Sequence, residues 1–149
     1  TTLAKQLALF VVLYSPLQMA SDEIENYEAN PEPFNFIVSC PTDWSRTVVP
    51  EACIGSYVTI ARCDKGEGYW YIGSITGDEE RTANISLSFL DTDKRYLATI
   101  YRDAPEADYE TCPAAILIEE REVTYSDTLT IRQARSGGTA VRLCPIKDS

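Results

Sequence analysis

Apolar positions fall into two regimes along the chain. Up to about residue 40 they recur at helical spacing. Leu3, Leu7, Phe10, Val11 and Tyr14 mark one stripe, and Ala4, Ala8, Val12 and Leu13 widen it. A helix apolar on so many sides needs cover on several of them. Pro16 ends it, because proline has no amide donor and biases Ser15 away from helical backbone. Pro16-Leu17-Gln18-Met19-Ala20 reads as a short buried strand closed by Ser21-Asp22-Glu23. Asn30-Pro31 then has the form of a helix cap and a first-turn proline, with Phe34, Ile37 and Val38 as the apolar stripe behind it. Helix, strand, helix is one unit of an α/β pattern, and forty residues cannot close such a fold alone.

From Cys40 onward the period changes to two. Tyr57 to Arg62 alternates, as do Ala83, Ile85, Leu87 and Phe89 against Asn84, Ser86 and Ser88. Leu129 and Ile131 alternate with Thr128, Thr130 and Arg132, and further strands are predicted over 69–76, 96–102, 115–123 and 139–143. Asp64-Lys65-Gly66-Glu67-Gly68, Gly77-Asp78-Glu79-Glu80, Asp91-Thr92-Asp93-Lys94 and Ser136-Gly137-Gly138 supply turn chemistry between them. The expected fold is mainly β. An antiparallel sandwich of about seven to eight strands fills 41–149, each sheet with one buried and one wet face, after a helix–strand–helix segment over 1–40.

Composition narrows the chemistry. The net charge of -10 disfavours nucleic acid and anionic membrane surfaces, both of which need clustered Lys and Arg. The chain has no histidine, so the commonest general base and metal ligand are missing, and with them every His-dependent triad. The five cysteines form no CxxC pair and match no zinc spacing. They read mostly as small buried apolar residues, with a disulfide left open. The longest apolar run, Leu7 to Leu13, is far short of the roughly 20 residues that span a bilayer. No signal-peptide pattern opens the chain. Asp91-Thr92-Asp93 starts like a calcium loop, but Tyr96 stands where that loop needs glycine. No metal ligand set is expected here.

The ordered strings together resemble one family. Lys5 to Ala20 is similar to the last part of the catalytic barrel in glycoside hydrolase family 97. Glu25-Asn26-Tyr27-Glu28, Pro33-Phe34-Asn35-Phe36-Ile37 and Pro41-Thr42-Asp43-Trp44 follow in the family's order. So do Gly55 to Arg62, Trp70 to Thr76, Ala98 to Asp103 and the closing Gly137 to Leu143. The resemblance implies residues 1–40 as the end of a (β/α)8 barrel and 41–149 as the C-terminal sandwich, an accessory and oligomerisation domain. It implies a parent α-glucosidase or α-galactosidase, periplasmic or secreted by a bacterium, with calcium near the glucosidase-type site. The parent's remaining domains are the implied partner, with a homo-oligomer open. Catalytic acid, base or nucleophile and calcium ligands all lie upstream of the matched stretch, so the chain is expected to hold no catalytic residue and no cofactor.

Candidate site residues are therefore few. Asp22 follows what would be the eighth barrel strand, where such barrels build their active sites, and is expected to line the parent's pocket or hold a neighbouring loop. Tyr69, Trp70 and Tyr71 put three aromatics on one strand, with Trp70 facing away from the other two. Trp70 and Tyr71 are candidates for core or interdomain packing, or for stacking on sugar as in a carbohydrate-binding module. Clusters such as Asp78-Glu79-Glu80, Glu119-Glu120 and Asp91-Thr92-Asp93 sit in turns or on wet faces. Acids there keep near-normal pKa values, which argues against a self-sufficient glycosidase. With the barrel missing, the apolar face from Leu7 to Tyr14 is expected to be bare, and removal of residues 1 to about 30 is expected to improve solubility.

Overall fold

Alternation of inward and outward side chains organises the region after residue 45 into eight strands: β1 Arg46–Cys53, β2 Tyr57–Cys63, β3 Trp70–Thr76, β4 Arg81–Ser86, β5 Tyr96–Asp103, β6 Ile116–Val123, β7 Thr128–Gln133 and β8 Gly138–Pro145. The computed structural model describes residues 1–15, 17 and 24–147. Six strands form one sheet in the order β1-β2-β3-β8-β5-β6, and β4 pairs with β7 in a second. Every pairing is antiparallel.

The two sheets pack face to face. β4 turns Ala83 and Ile85 inward and leaves Thr82, Asn84 and Ser86 outside, while β7 turns in Leu129 and Ile131. The register sets Ala83 opposite Ile131 and Ile85 opposite Leu129. These meet Trp70, Ile72, Ala98, Ile100, Val141 and Leu143 from the large sheet in one apolar core. The sandwich is thus the expected one, but lopsided, because the second sheet has only two strands.

That asymmetry changes the expected wet face. Along β3 every residue but Ile75 is buried, which half-buried strands do not show. The outer face of the large sheet is covered by α1 Leu3–Val12 and by α3 Pro31–Ser39, which follows a short α2 over Ile24–Ala29. The middle of the molecule therefore has three layers: helices, six strands, two strands.

Three details depart from the sequence reading. β1 was not among the expected strands, because Pro50 interrupts its apolar run. It lies at the sheet edge, and its pairing with β2 shifts register between Val48 and Glu51, a bulge that absorbs the proline. α3 has the expected Asn30 cap position and first-turn Pro31, but buries Pro33 and Phe36, while Val38 from the expected stripe is 68% exposed. Of the five cysteines, Cys63 is buried, Cys53 is exposed and the other three are half-buried, all as free thiols. The strand expected over 16–20 falls, except for Leu17, outside the described residues. Among the described residues no helix is long and apolar enough to cross a membrane.

Candidate functional site: the seat of the first helix

Helix α1 is the element the sandwich grips most specifically. Its N-terminal end is held by backbone. The Thr2 amide donates to Ser136 O at 3.3 Å and the Leu3 amide to Pro113 O at 2.7 Å. Thr2 caps the helix, its hydroxyl accepting from the Lys5 amide at 3.3 Å. Lys5 Nζ then reaches back to donate to Thr76 O at 2.8 Å.

The C-terminal end is held by one side chain. Arg62, on the outer side of β2, donates from Nε to Val11 O at 2.7 Å and from Nη2 to Val12 O at 3.2 Å. Its third arm, Nη1, donates to Thr47 Oγ1 on β1 at 3.0 Å. The residue is 7% exposed. The last carbonyls of a helix have no intrahelical donor and carry partial negative charge, so a guanidinium is well matched to them. The guanidinium also lies 5.6 Å from the Tyr14 ring centroid, within cation–π range.

Between the ends the backbone of α1 lies almost on the sheet. A Cβ at Gly73 would stand 2.5 Å from Ala8 O and 2.9 Å from Val11 Cβ. A Cβ at Gly138 would stand 2.9 Å from Lys5 Cα. Gly73 faces Ala140 across the β3–β8 pair, so three small residues make a shallow trough across the two central strands. Into it fit Leu7, Ala8 and Val11, packed with Phe36, Tyr71 and Tyr101. Burying a side chain the size of Leu or Val contributes about 1.5–3 kcal/mol.

A buried carboxylate fastens the same corner. Asp103 ends β5, and its Oδ2 accepts from the amides of Ala134 and Gly138, both at 3.0 Å. A Cβ at Gly137 would collide with that oxygen, which explains a glycine in this turn. Burial pushes the Asp103 pKa up, against the Thr2 hydrogen bond and the two amides that pull it down.

The sequence-derived candidates fall elsewhere. Asp22 lies outside the described residues. Trp70 and Tyr71 are each 3% exposed and on opposite faces of β3. Trp70 packs in the core between the sheets, with Phe89 4.7 Å away between centroids. Tyr71 packs under the helices, edge-on to Phe36 and Trp44, and its hydroxyl donates to Ser39 O at 2.9 Å. Stacking on sugar is corrected here: neither ring presents a face to solvent. The acidic clusters pair at the surface, Glu80 with Arg132, Glu119 with Arg102 and Asp91 with Lys94. Among the described residues no three acidic or cysteine side chains converge to hold a metal ion. Arg62 and Asp103 were missed. The available signals were a glycine inside a strand at Gly73 and the Ser-Gly-Gly turn, both marks of close backbone approach.

The described residues thus form a β-sandwich that carries a locked helix on its outer face, with several of its acids in surface ion pairs and Asp103 in a turn staple, the class of a helix-bearing β-sandwich domain. The family model described as glycosyl-hydrolase 97 C-terminal, oligomerisation, matches residues 43–144, and the chain belongs to that family. A glycoside hydrolase family 97 enzyme from Pseudoalteromonas sp. strain K8, solved in complex with acarbose, superposes with a TM-score of 0.95 at 45% identity, covering 99% of this chain and 23% of its own. The retaining alpha-galactosidase of Bacteroides thetaiotaomicron is 35% identical over 147 residues, 95% of this chain and 21% of that protein. A solved beta-arabinopyranosidase shares the fold with a TM-score of 0.76 at 22% identity, covering 95% of this chain and 21% of its own. The chain thus spans between a fifth and a quarter of the length of these relatives, and is the C-terminal accessory domain of a family 97 glycoside hydrolase.

Proposed function

We propose that residues 1–40 belong to the parent enzyme's catalytic barrel, and that the sandwich from residue 41 braces that barrel through the seat of α1. One observation carries this reading: Arg62 and the Gly73–Gly138 trough fix α1 at its end and along its length. A second supports it. Leu13, Tyr14, Leu17, Ile24 and Val38 are all large, apolar and more than half exposed, as expected of side chains that meet a further neighbour. The bare face expected over Leu7 to Tyr14 is therefore divided. The sandwich covers Leu7, Ala8 and Val11, and the barrel covers the rest.

In this reading the parent hydrolyses α-glucosidic or α-galactosidic bonds, the second being the activity named for the relative from Bacteroides thetaiotaomicron, and it works in the periplasm or outside the cell. Its catalytic groups and its calcium lie in the barrel, which also receives Asp22. The sandwich further contributes to contacts between copies of the parent, as the family description states for the domain. In this role the domain turns over no substrate itself.

The test is Arg62→Leu in the full-length enzyme. Thermal inactivation is expected at lower temperature, with loss of glycosidase activity in step with exposure of α1 to limited proteolysis. Full activity after the α1–sandwich contact has opened would refute the brace. Deletion of residues 1–30 from the present chain is now expected to reduce soluble yield, because it uncovers Tyr71, Ala140 and Ile75.

A further inference from the structure

We infer that the outer face of β1 and β2, beside α1, is the seat of a second barrel helix, the one that precedes α1 in the parent's ring. The inference rests on the reading of residues 1–40 as barrel. β2 turns Val58, Ile60 and Arg62 to the helix side of the sheet. The register sets Val58 opposite Ile75, and Ile60 opposite the Gly73 that receives α1. Arg62 is spent on α1, but Val58 and Ile60 are only half-buried, and Ala52, opposite Val58 on β1, is exposed. The bulge sets Val49 and Pro50 against Ile60, with Val49 55% exposed. A depression of about 250 Å³ between Lys5 of α1 and the β1–β2 turn opens onto Val58 and Ile75.

None of these β1 and β2 side chains beyond Arg62 is charged. At the far edge of the same face, β6 carries Glu120 and Glu122, opposite Thr99 and Leu97. In a chain of net charge -10, an exposed uncharged apolar stretch marks the side built for contact. Pro50 and the bulge blunt β1 against pairing with the strand edge of another copy, so the contact is made by side chains. Ring order names the occupant. In a (β/α)8 barrel each helix stands between its predecessor and its successor. The successor, α3, lies on the β5 side of α1, where Phe36 packs on Tyr101, so the predecessor falls on the β2 side. Packed helices stand roughly 8–10 Å apart and strands about 4.8 Å apart, so one helix step covers two strands. α1 lies over β3 and β8 through Gly73 and Gly138, and two strands further on lie β2 and β1.

Thiol footprinting of the full-length parent and of the present chain tests the seat. In a Cys53→Ser background, Ala52→Cys probes the patch, Val38→Cys probes the α3 face given to the barrel, and Thr82→Cys probes the outer side of the small sheet. All three positions are exposed in the chain, so the substitutions leave its fold intact. Maleimide labelling is expected to be at least tenfold slower in the parent than in the chain at Ala52→Cys and Val38→Cys, and equal at Thr82→Cys. A photo-crosslinking amino acid at position 52 is expected to capture the barrel helix that precedes α1. Equal rates at Ala52→Cys with Val38→Cys protected would overturn the seat and leave the barrel reading standing. Equal rates at both would overturn both. Protection of Ala52→Cys alone, or a crosslink to any other part of the parent or to a second copy, would give the patch a different occupant and overturn the inference.

Discussion

Helices α1 and α3 rest on the same face of the same sheet, yet they are held by different physics. α1 is fixed by polar groups at both ends and by missing Cβ atoms along its length. Such contacts tolerate little displacement, since a guanidinium aimed at two carbonyls loses its bonds within an ångström or so. α3 is held mainly by rings. Phe36 meets Tyr71 and Tyr101 edge-on at centroid distances of 6.0 and 5.2 Å. Among the described residues its polar ties include the Tyr71 hydroxyl on Ser39 O and a weak contact from Cys40 Sγ to Phe10 O at 3.8 Å. Aromatic packing secures an element without dictating its position to the same degree. The lesson is that α1 is a registered part of the sandwich, while α3 is a cover.

The sharpest way to break this contrast is to fill the trough. Gly73→Val is expected to destabilise the chain by about 3 kcal/mol, because overpacking drives the new side chain into the Ala8 carbonyl. Arg62→Leu leaves the Val11 and Val12 carbonyls unpaired in a buried place, and about 2 kcal/mol is expected there. Urea unfolding measures both. If either variant unfolds with the wild-type midpoint, α1 is no better registered than α3.

The α3 side is expected to respond more gently. Tyr71→Phe keeps the ring between Phe36 and Trp44 and removes only the bond to Ser39 O, a change of about 1 kcal/mol. Thiol labelling sharpens the comparison. Burial pushes the Cys40 thiol up to about 12, so it is nearly inert while α3 is seated, whereas exposed Cys53 labels at once. Tyr71→Phe is expected to raise the labelling rate of Cys40 and leave that of Cys53 unchanged. Equal rates at Cys40 in the variant and the wild type would mean that the hydroxyl does not hold α3 down.

How far this was legible in the sequence differs between the same two regions. Period-two alternation located seven strands, because each has an apolar face that must be buried. β1 escaped because Pro50 breaks the pattern and an edge strand buries little. The stripe of α1 was equally plain, but the partner it demanded was not. The pattern shows that Leu7 and Val11 need cover, and cannot show that the cover is the chain's own sheet. Arg62 was read only as the last residue of an alternating strand, since nothing local reveals that a helix terminus fifty residues earlier in the chain arrives above it. On β3 the alternation of Trp70 and Tyr71 was readable, yet burial of both faces needed the third layer to be seen.

The smallest expected effect concerns the corner that α1 shares with the β7–β8 turn. Burial raises the Asp103 pKa, with the Thr2 hydrogen bond and the Ala134 and Gly138 amides opposing it. The folded state therefore holds the proton more tightly than the unfolded state. This contribution to stability is fully present below the ordinary aspartate value of about 3.9 and is lost as pH rises through the raised folded value. Asp108 acts in the opposite sense. The Arg135 guanidinium beside it, with the Glu110 and Thr111 amides, holds its carboxyl well below the usual range, so its contribution is present at neutral pH and lost on acidification. Asp103→Asn separates the two. It retains an acceptor for both amides and removes the titration, so the stability lead of the wild type over the variant should shrink as pH rises from about 4 towards neutrality. Urea midpoints measured across that range check the slope. A difference that is flat with pH would mean that Asp103 stays charged on folding, with its amide bonds outweighing its burial.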